Sequence, residues 1–292
     1  MLAEPLLSSE LLQMLDRMSL VTRRSMAGRL AGNRRSPRRG SSVEFADFRP
    51  YSRGDDLRQL DWNLYARLER FFLKLYVAEE ELTFHLLLDT SASMAYGEPQ
   101  KAAYARRLMA AVGYLALQNG DRVRLTLLAG DGHPLPGLRG KAAAAELFAA
   151  LQQPSPPADG PLSVATRRAV QAMRNGGPLI LCSDLLGDDW QETLRAFAAR
   201  PADLLVLQLL APQELRPQLS GDLQLQDVET GHQIDVTVDQ AVLDAYQHRL
   251  DNWLIEVSDF CRPRGIVHQV VDSSLPLEGL LLEHLRRNGV IR

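Results

Sequence analysis

Continuous apolar runs alternate along this chain with longer stretches of helical periodicity. Residues 84–88 (FHLLL), 179–183 (LILCS) and 204–210 (LLVLQLL) are oily throughout rather than alternating. That is the pattern of strands covered on both faces, as in a parallel sheet. Residues 122–128 (RVRLTLL) alternate as a strand with one better-covered face, and residues 266–271 read as a last strand. Helices are expected over residues 100–118, 141–151, 162–173, 241–261 and 277–287, and at the front over 6–31, where Leu7, Leu11, Leu12, Leu15, Met18 and Leu20 recur at helical spacing. Residues 71–77 and 82–88, joined by Glu79-Glu80-Glu81, read as an antiparallel pair, because so short a connection suits a hairpin. Residues 222–228 and 233–238 read as a second hairpin around Glu229-Thr230-Gly231-His232, and a short edge strand is expected near 133–138. Strands alternating with helices predict an α/β fold.

The stretch 84–94 (FHLLLDTSASM) organises the rest. Its apolar run ends at Asp89, followed by Ser91 and Ser93. Open α/β sheets bind ligands beyond the carboxyl ends of their strands. One carboxylate and two hydroxyls there are hard oxygen donors, suited to Mg²⁺ or Mn²⁺. The run 179–183 ends the same way, in Asp184. A plainer reading stands beside this one: Asp and Ser after a strand are common turn and cap residues, and Asp184 could cap a helix starting near residues 188–189.

The D-x-S-x-S spacing resembles the metal-ion-dependent adhesion site of von Willebrand factor A domains. That resemblance implies a doubly wound, mostly parallel sheet with helices on both faces. It makes the strands ending at Asp89 and Asp184 neighbours across the switch point. It also implies a hydroxyl ligand from the loop before the Asp184 strand. Pro161 stands where a threonine is usual, which leaves Ser163 as the candidate and Thr166 as a weaker one.

Residues 23–39 hold seven arginines and no acid, broken by Gly32 and Pro37. This segment is either a docking arm for an acidic partner or a solvated face. Residues 41–67 then mix aromatic, basic and acidic side chains: SSVEFADFRPY, GDDLR, DWNLYAR. Such a mixture either fixes one geometry through paired guanidinium and carboxylate groups or forms a recognition surface. Arg49, Asp55, Asp56, Arg58, Asp61, Trp62, Asn63, Tyr65 and Arg67 are its candidate contact residues.

From Arg38 to Met94 the chain closely resembles a bacterial and archaeal domain of unknown function, number fifty-eight in its series. The likeness runs on through Tyr246, Cys261 and Gly265. The resemblance implies a MoxR-type AAA+ ATPase as partner and an unidentified client protein. It also implies a short form without the membrane helices of some relatives. On this reading residues 1–80 form a helical, basic and β-hairpin extension packed on the sheet. Residues 81–292 form the von Willebrand factor A-like domain.

Composition narrows the function classes. The 292 residues are 46% hydrophobic and 24% charged, with a formal net charge of -3. That balance argues against nucleic-acid binding by bulk charge. Cys182 and Cys261 lack metal-ligand spacing, and the six histidines show none either. No apolar run reaches the roughly 20 residues of a membrane span, and the first residues lack a signal-peptide pattern; a cytoplasmic location is expected. There is no phosphate-binding G-x-x-x-x-G-K-[ST] loop. Three readings remain: a non-enzymatic binding module using a metal-dependent site, a metal-free scaffold using residues 45–67, and a metal-dependent phosphoryl-transfer enzyme with Asp89.

Overall fold

In the computed structural model, the described residues are 5–18, 43–52, 55, 57, 60–78, 82–128, 134–153, 160–173, 176–200 and 202–285. The elements in chain order are α1 (Ser9–Leu15), β1 (Val43–Pro50), α2 (Trp62–Leu68), β2 (Phe72–Ala78), β3 (Thr83–Asp89), α3 (Lys101–Gln118), β4 (Arg122–Leu128), β5 (Leu138–Arg139), α4 (Ala144–Gln152) and α5 (Leu162–Ala172). There follow β6 (Leu179–Ser183), α6 (Trp190–Ala198), β7 (Leu204–Leu210), α7 (Pro212–Leu215), β8 (Gly221–Gln226), β9 (Gln233–Val238), α8 (Gln240–Cys261) and β10 (Val267–Asp272). A closing helix runs as α over Leu277–Gly279 and as π over Leu280–Leu285.

The central sheet has the order β10-β7-β6-β3-β4-β5. All its pairings are parallel except β4 with β5. From β3 the chain winds outward to β4 and β5, then returns to the other side of β3 as β6. The switch point therefore lies between β3 and β6.

Two cores explain the oily strands. Leu86 and Leu88 of β3, with Ile180 and Cys182 of β6, bury against α3, α4 and the closing helix. Leu87, with Leu179 and Leu181, buries against α5, α6 and α8. Successive strand residues point to opposite faces, so a strand covered on both sides has to be apolar at every position. The fold is mixed α/β with a mostly parallel central sheet and helices on both of its faces.

Contacts divide the chain into one unit of Met1–Ala27 with Leu82–Arg292 and another of Gly28–Glu81. In the first, α1 is part of the core: Leu7, Leu11 and Leu15 join the cluster under α3. The Tyr114 hydroxyl and the Lys141 ammonium both donate to Asp16 Oδ1, at 2.6 and 2.7 Å. The helix expected over residues 6–31 thus covers Ser9–Leu15 among the described residues, with Ser8 as its N-cap. Residues 1–27, part of the expected extension, group with the main unit. The Arg23–Arg39 segment lies outside the described residues.

The smaller unit corrects one pairing. Strand β2 runs antiparallel to β1, from Val43↔Ala78 to Pro50↔Phe72, whereas β3 pairs in parallel with β4 and β6. The expected hairpin of residues 71–77 with 82–88 does not form. Strand β3 needs two buried neighbours for its apolar residues, and a parallel sheet provides them. The segment 61–67, read as a contact surface, holds helix α2, capped by Asp61. Among the described residues no helix is long and apolar enough to cross a membrane.

Candidate functional site

The ends of β3, β6 and β7 bring a set of polar side chains to the carboxyl rim of the main unit. Strands β3 and β6 pair through Leu88↔Cys182, so the next pair along is Asp89 beside Ser183. The Ser183 hydroxyl donates to Asp89 Oδ2 at 2.5 Å. The Ser91 amide donates to Asp89 Oδ1 at 2.9 Å. Both Asp89 oxygens are therefore engaged, and the residue is 2% exposed. Burial, and then the negative charge of Asp184, push the Asp89 carboxyl up to about 6.

Asp184 has a different partner. Its Oδ2 accepts from the Lys101 ammonium at 2.7 Å, and the same ammonium donates to Glu214 Oε1 at 2.5 Å. Lys101 is fully buried, at the first position of α3. A cation at a helix N-terminus opposes the macrodipole, and an unpaired buried ammonium is costly. The two carboxylates offset both penalties. Glu214 is itself fixed by its other oxygen, which accepts from the Ala211 amide at 2.7 Å.

The Asp184 backbone is held as firmly. Its carbonyl accepts from the Gln208 amide at 3.1 Å, and Gln208 Oε1 lies 2.8 Å from His268 Nε2. Burial lowers His268 to about 4, so this ring is neutral at neutral pH. Leu185 follows at φ 58°. A left-handed conformation costs a branched residue about 1–2 kcal/mol. Its side chain is nevertheless buried in the second core, and its amide donates to Ser183 Oγ at 3.0 Å. The plain reading of Asp184 as a cap of the next helix is not what the rim holds, because α6 begins after Asp189.

The serine loop lies beside this pair. Ser91 Oγ and Ser93 Oγ are 3.0 Å apart. The Ser93 amide donates to Glu229 Oε1 at 2.7 Å, and Glu229 comes from the turn between β8 and β9. Ser163 sits in the first turn of α5, where its amide donates to Asp189 Oδ2 at 2.6 Å. No hydrogen bond joins its hydroxyl to Asp89, Ser91, Ser93 or Asp184 among the described residues. Thr166 of α5 and Thr90 after β3 each bury a hydroxyl with no hydrogen-bond partner.

The oxygens of Asp89, Ser91 and Ser93 are of the kind that a small hard cation takes. The 3.0 Å between the serine oxygens is about the edge of an octahedron with arms of roughly 2.0–2.1 Å, though a hydroxyl pair has the same span. The carboxyl of Asp89 is raised by burial and by Asp184, two penalties that a bound cation would relieve. Asp89, Ser91 and Ser93 would be the direct donors to such an ion. Asp184, held by Lys101, would take an outer position. Among the described residues no three His, Cys, Asp or Glu side chains cluster as a metal site, so the hydroxyls are essential to the fit. Cys182 is no rival ligand: burial, with Asp89 and Asp184 adding to it, raises its thiol above the ordinary range.

In the smaller unit the candidate contact residues divide into two kinds. Arg49 donates to Asp55 Oδ1 at 2.7 Å, and Asp55 Oδ2 accepts from the Ser52 amide. Asp61 accepts from the amides of Asn63 and Leu64. These three residues shape the local backbone. Trp62, Asn63, Tyr65 and Arg67 are exposed. Tyr65 stacks on Phe71 with centroids 4.4 Å apart, and Trp62 meets Tyr65 edge-on. Asp56 and Arg58 lie outside the described residues.

Sequence reasoning missed Ser183, Lys101, Glu214 and Glu229. One signal existed for Lys101: a lysine opens a helix that is otherwise largely apolar, at the end where cations are disfavoured. Glu229 and Glu214 had none, since both belong to the long connection between β7 and α8.

Comparison with known proteins gives a family and a set of uncharacterised relatives. The uncharacterized protein Rv1480 of Mycobacterium tuberculosis is 29% identical over 246 residues, covering 80% of this chain and 77% of the relative. The uncharacterized protein MAV169 of Mycobacterium avium is 35% identical over 98 residues, 32% of this chain and 57% of that one. Among solved structures, the conserved hypothetical protein BatB of Bacteroides thetaiotaomicron is similar at 17% identity and TM-score 0.39, covering 70% of this chain and 98% of that one. An aerotolerance-related membrane protein of Bacteroides fragilis is similar at 16% identity and TM-score 0.40, covering 69% and 98%. The model of the family described as "Protein of unknown function DUF58" matches residues 47–252, and the chain belongs to that family.

Proposed function

We propose that this protein is a non-enzymatic interaction module of von Willebrand factor A-like architecture. It binds a partner carboxylate through a metal-ion-dependent adhesion-type site and serves as adaptor to a MoxR-type AAA+ ATPase that remodels or matures a client protein. The observation that carries this reading is the meeting of Asp89 with the Ser183-Asp184 pair at the switch point, with Ser91 and Ser93 beside it. Asp89, Ser91 and Ser93 would hold Mg²⁺ or Mn²⁺, with Asp184 in an outer role. When bound, the ion would supply a Lewis-acid position that an oxygen from outside can complete. The chain's own contribution is to keep the donors fixed. Ser183 orients Asp89, and Lys101 with Gln208 orients Asp184. The ATPase rests on the family resemblance alone. Asp89 is buried, with both oxygens engaged, an arrangement better suited to holding an ion than to attacking phosphorus.

The test is capture of a MoxR-type ATPase by the wild type and by Asp89→Ala, in Mg²⁺ and in EDTA. Capture should fall at least tenfold both in the variant and on chelation. Equal retention in every condition would defeat the metal-bridged reading.

One observation favours a second, metal-free reading: the exposed aromatic face of α2, where Trp62 is 63% exposed. On that reading Trp62→Ala or Arg67→Glu abolishes capture while Asp89→Ala leaves it intact.

A further inference from the structure

The chain's own hairpin already reaches the serine loop. Strands β8 and β9 pair from Gly221↔Val238 to Gln226↔Gln233, and almost every residue of the two strands is exposed or only partly covered. Such a two-stranded ribbon is marginally stable by itself. Its turn, by contrast, is tightly wired. Asp227 Oδ1 accepts from the amides of Glu229 and Thr230 at 2.9 and 2.7 Å. The Asp227 carbonyl accepts from the amide of Gly231, a residue at φ 72°. This wiring presents the Glu229 carboxylate, which lies 2.7 Å from the Ser93 amide.

An exposed glutamate gains little from facing solvent, and in the two strands only Val238 is buried. A carboxylate on the amide of Ser93 stands beside the hydroxyl pair at which, on the proposed reading, a carboxylate from outside would arrive. We infer that Glu229 is the resting occupant of this site, and that the external ligand is an acidic side chain presented on a turn, which binds by displacing the β8–β9 hairpin. This rests on the proposed cation-dependent carboxylate site and adds to it a built-in competitor. The second acidic contact of the rim is held independently of the hairpin. Glu214 precedes it on the same connection, and the Tyr246 hydroxyl of α8 donates to the Glu214 carbonyl at 2.7 Å. Displacement therefore needs only the ribbon to swing, while the Lys101 cluster stays in place.

The test is amide hydrogen exchange of the full chain, read by mass spectrometry for residues 90–95 and 221–238. The proteins are the wild type, Glu229→Gln and, as a hairpin control, Asp222→Asn. Each is measured in EDTA, in Mg²⁺, and in Mg²⁺ with glutarate as the carboxylate probe. Glu229→Gln should speed exchange in both segments at least tenfold while β3 and β6 stay unchanged, and Asp222→Asn should leave residues 90–95 as in the wild type. In the wild type, Mg²⁺ with glutarate should speed exchange of the hairpin. In Glu229→Gln the same addition should slow residues 90–95, at a glutarate concentration at least several-fold lower than the wild type needs. Wild-type exchange in Glu229→Gln, or an equal glutarate requirement in the two proteins, overturns the competitor. No response of Glu229→Gln to Mg²⁺ and glutarate overturns the carboxylate site as well.

Discussion

Lys101 Nζ lies 2.7 Å from Asp184 Oδ2 inside the protein, with both side chains almost completely removed from solvent. The helix that follows the serine loop thus begins with a cation locked to the acid at the end of the neighbouring strand. A buried pair of this kind is weak evidence for net stability, but removing one partner leaves an unmatched charge, at a cost of about 3–5 kcal/mol.

Lys101→Met should therefore lower the unfolding free energy by about 3–5 kcal/mol in urea titrations at pH 7. In an Asp184→Asn background the same change should cost about 1–3 kcal/mol less. Additive effects of the two substitutions would show that the ion pair does not form in solution.

Asp89 gives the site a defined pH dependence. Its folded carboxyl is raised to about 6 from an ordinary 3.8. Between those values the folded protein holds the proton more tightly than the unfolded chain, so this group makes stability fall as pH rises through the window. Above pH 6 the full penalty of the buried charge applies. In EDTA at pH 8, Asp89→Asn should be about 1–3 kcal/mol more stable than the wild type, and the gain should fade towards pH 4. Millimolar Mg²⁺ should narrow the gap by stabilising the wild type alone. A gain of the same size at both pH values would contradict the raised carboxyl.

Gly177 precedes β6 where the chain passes against β3, and a Cβ there would stand 2.0 Å from the carbonyl oxygen of Thr83. The obstacle is backbone, which no rotamer change relieves. Gly177→Ala should cost about 1–3 kcal/mol by overpacking, with faster amide exchange at the start of β6. Unchanged stability would mean that the strand ends lie further apart.

In the smaller unit, Asp61 and Trp62 are adjacent but unlike. Asp61→Ala removes an N-cap and should cost about 1 kcal/mol. Trp62→Ala removes an exposed ring and should stay within about 0.5 kcal/mol. Thermal unfolding separates them. A comparable loss from both would make the aromatic face structural and remove the observation that favours it as a contact surface.

How much of this was legible follows the range of each interaction. Strands β6 and β7 coincide with the apolar runs 179–183 and 204–210, because a doubly covered strand leaves a continuous record in the sequence, and β4 coincides with the alternating run 122–128. The helix of residues 100–118 begins one residue later, at Lys101. The short connection after β2 favours a hairpin with β3, but burial decides: β2 pairs with β1, far back in the sequence. The closing helix is shorter in its α part than its periodicity suggested, turning to π geometry at Leu280. Only chain position points to Ser163. The structure engages its amide, with Asp189, and leaves the nearby Thr166 hydroxyl without a partner.

The sequence by itself determined that two oily strands end in Asp89 and Asp184, that serines follow the first, and that helices must cover both faces of the sheet. Those are consequences of local periodicity and burial. Only the tertiary structure decided that Ser183 holds Asp89, that Lys101 is shared by Asp184 and Glu214, and that Glu229 reaches Ser93. Each of these contacts joins residues 83 to 136 positions apart, and the sign and reach of a single charged side chain leave no periodic trace from which its partner could be read.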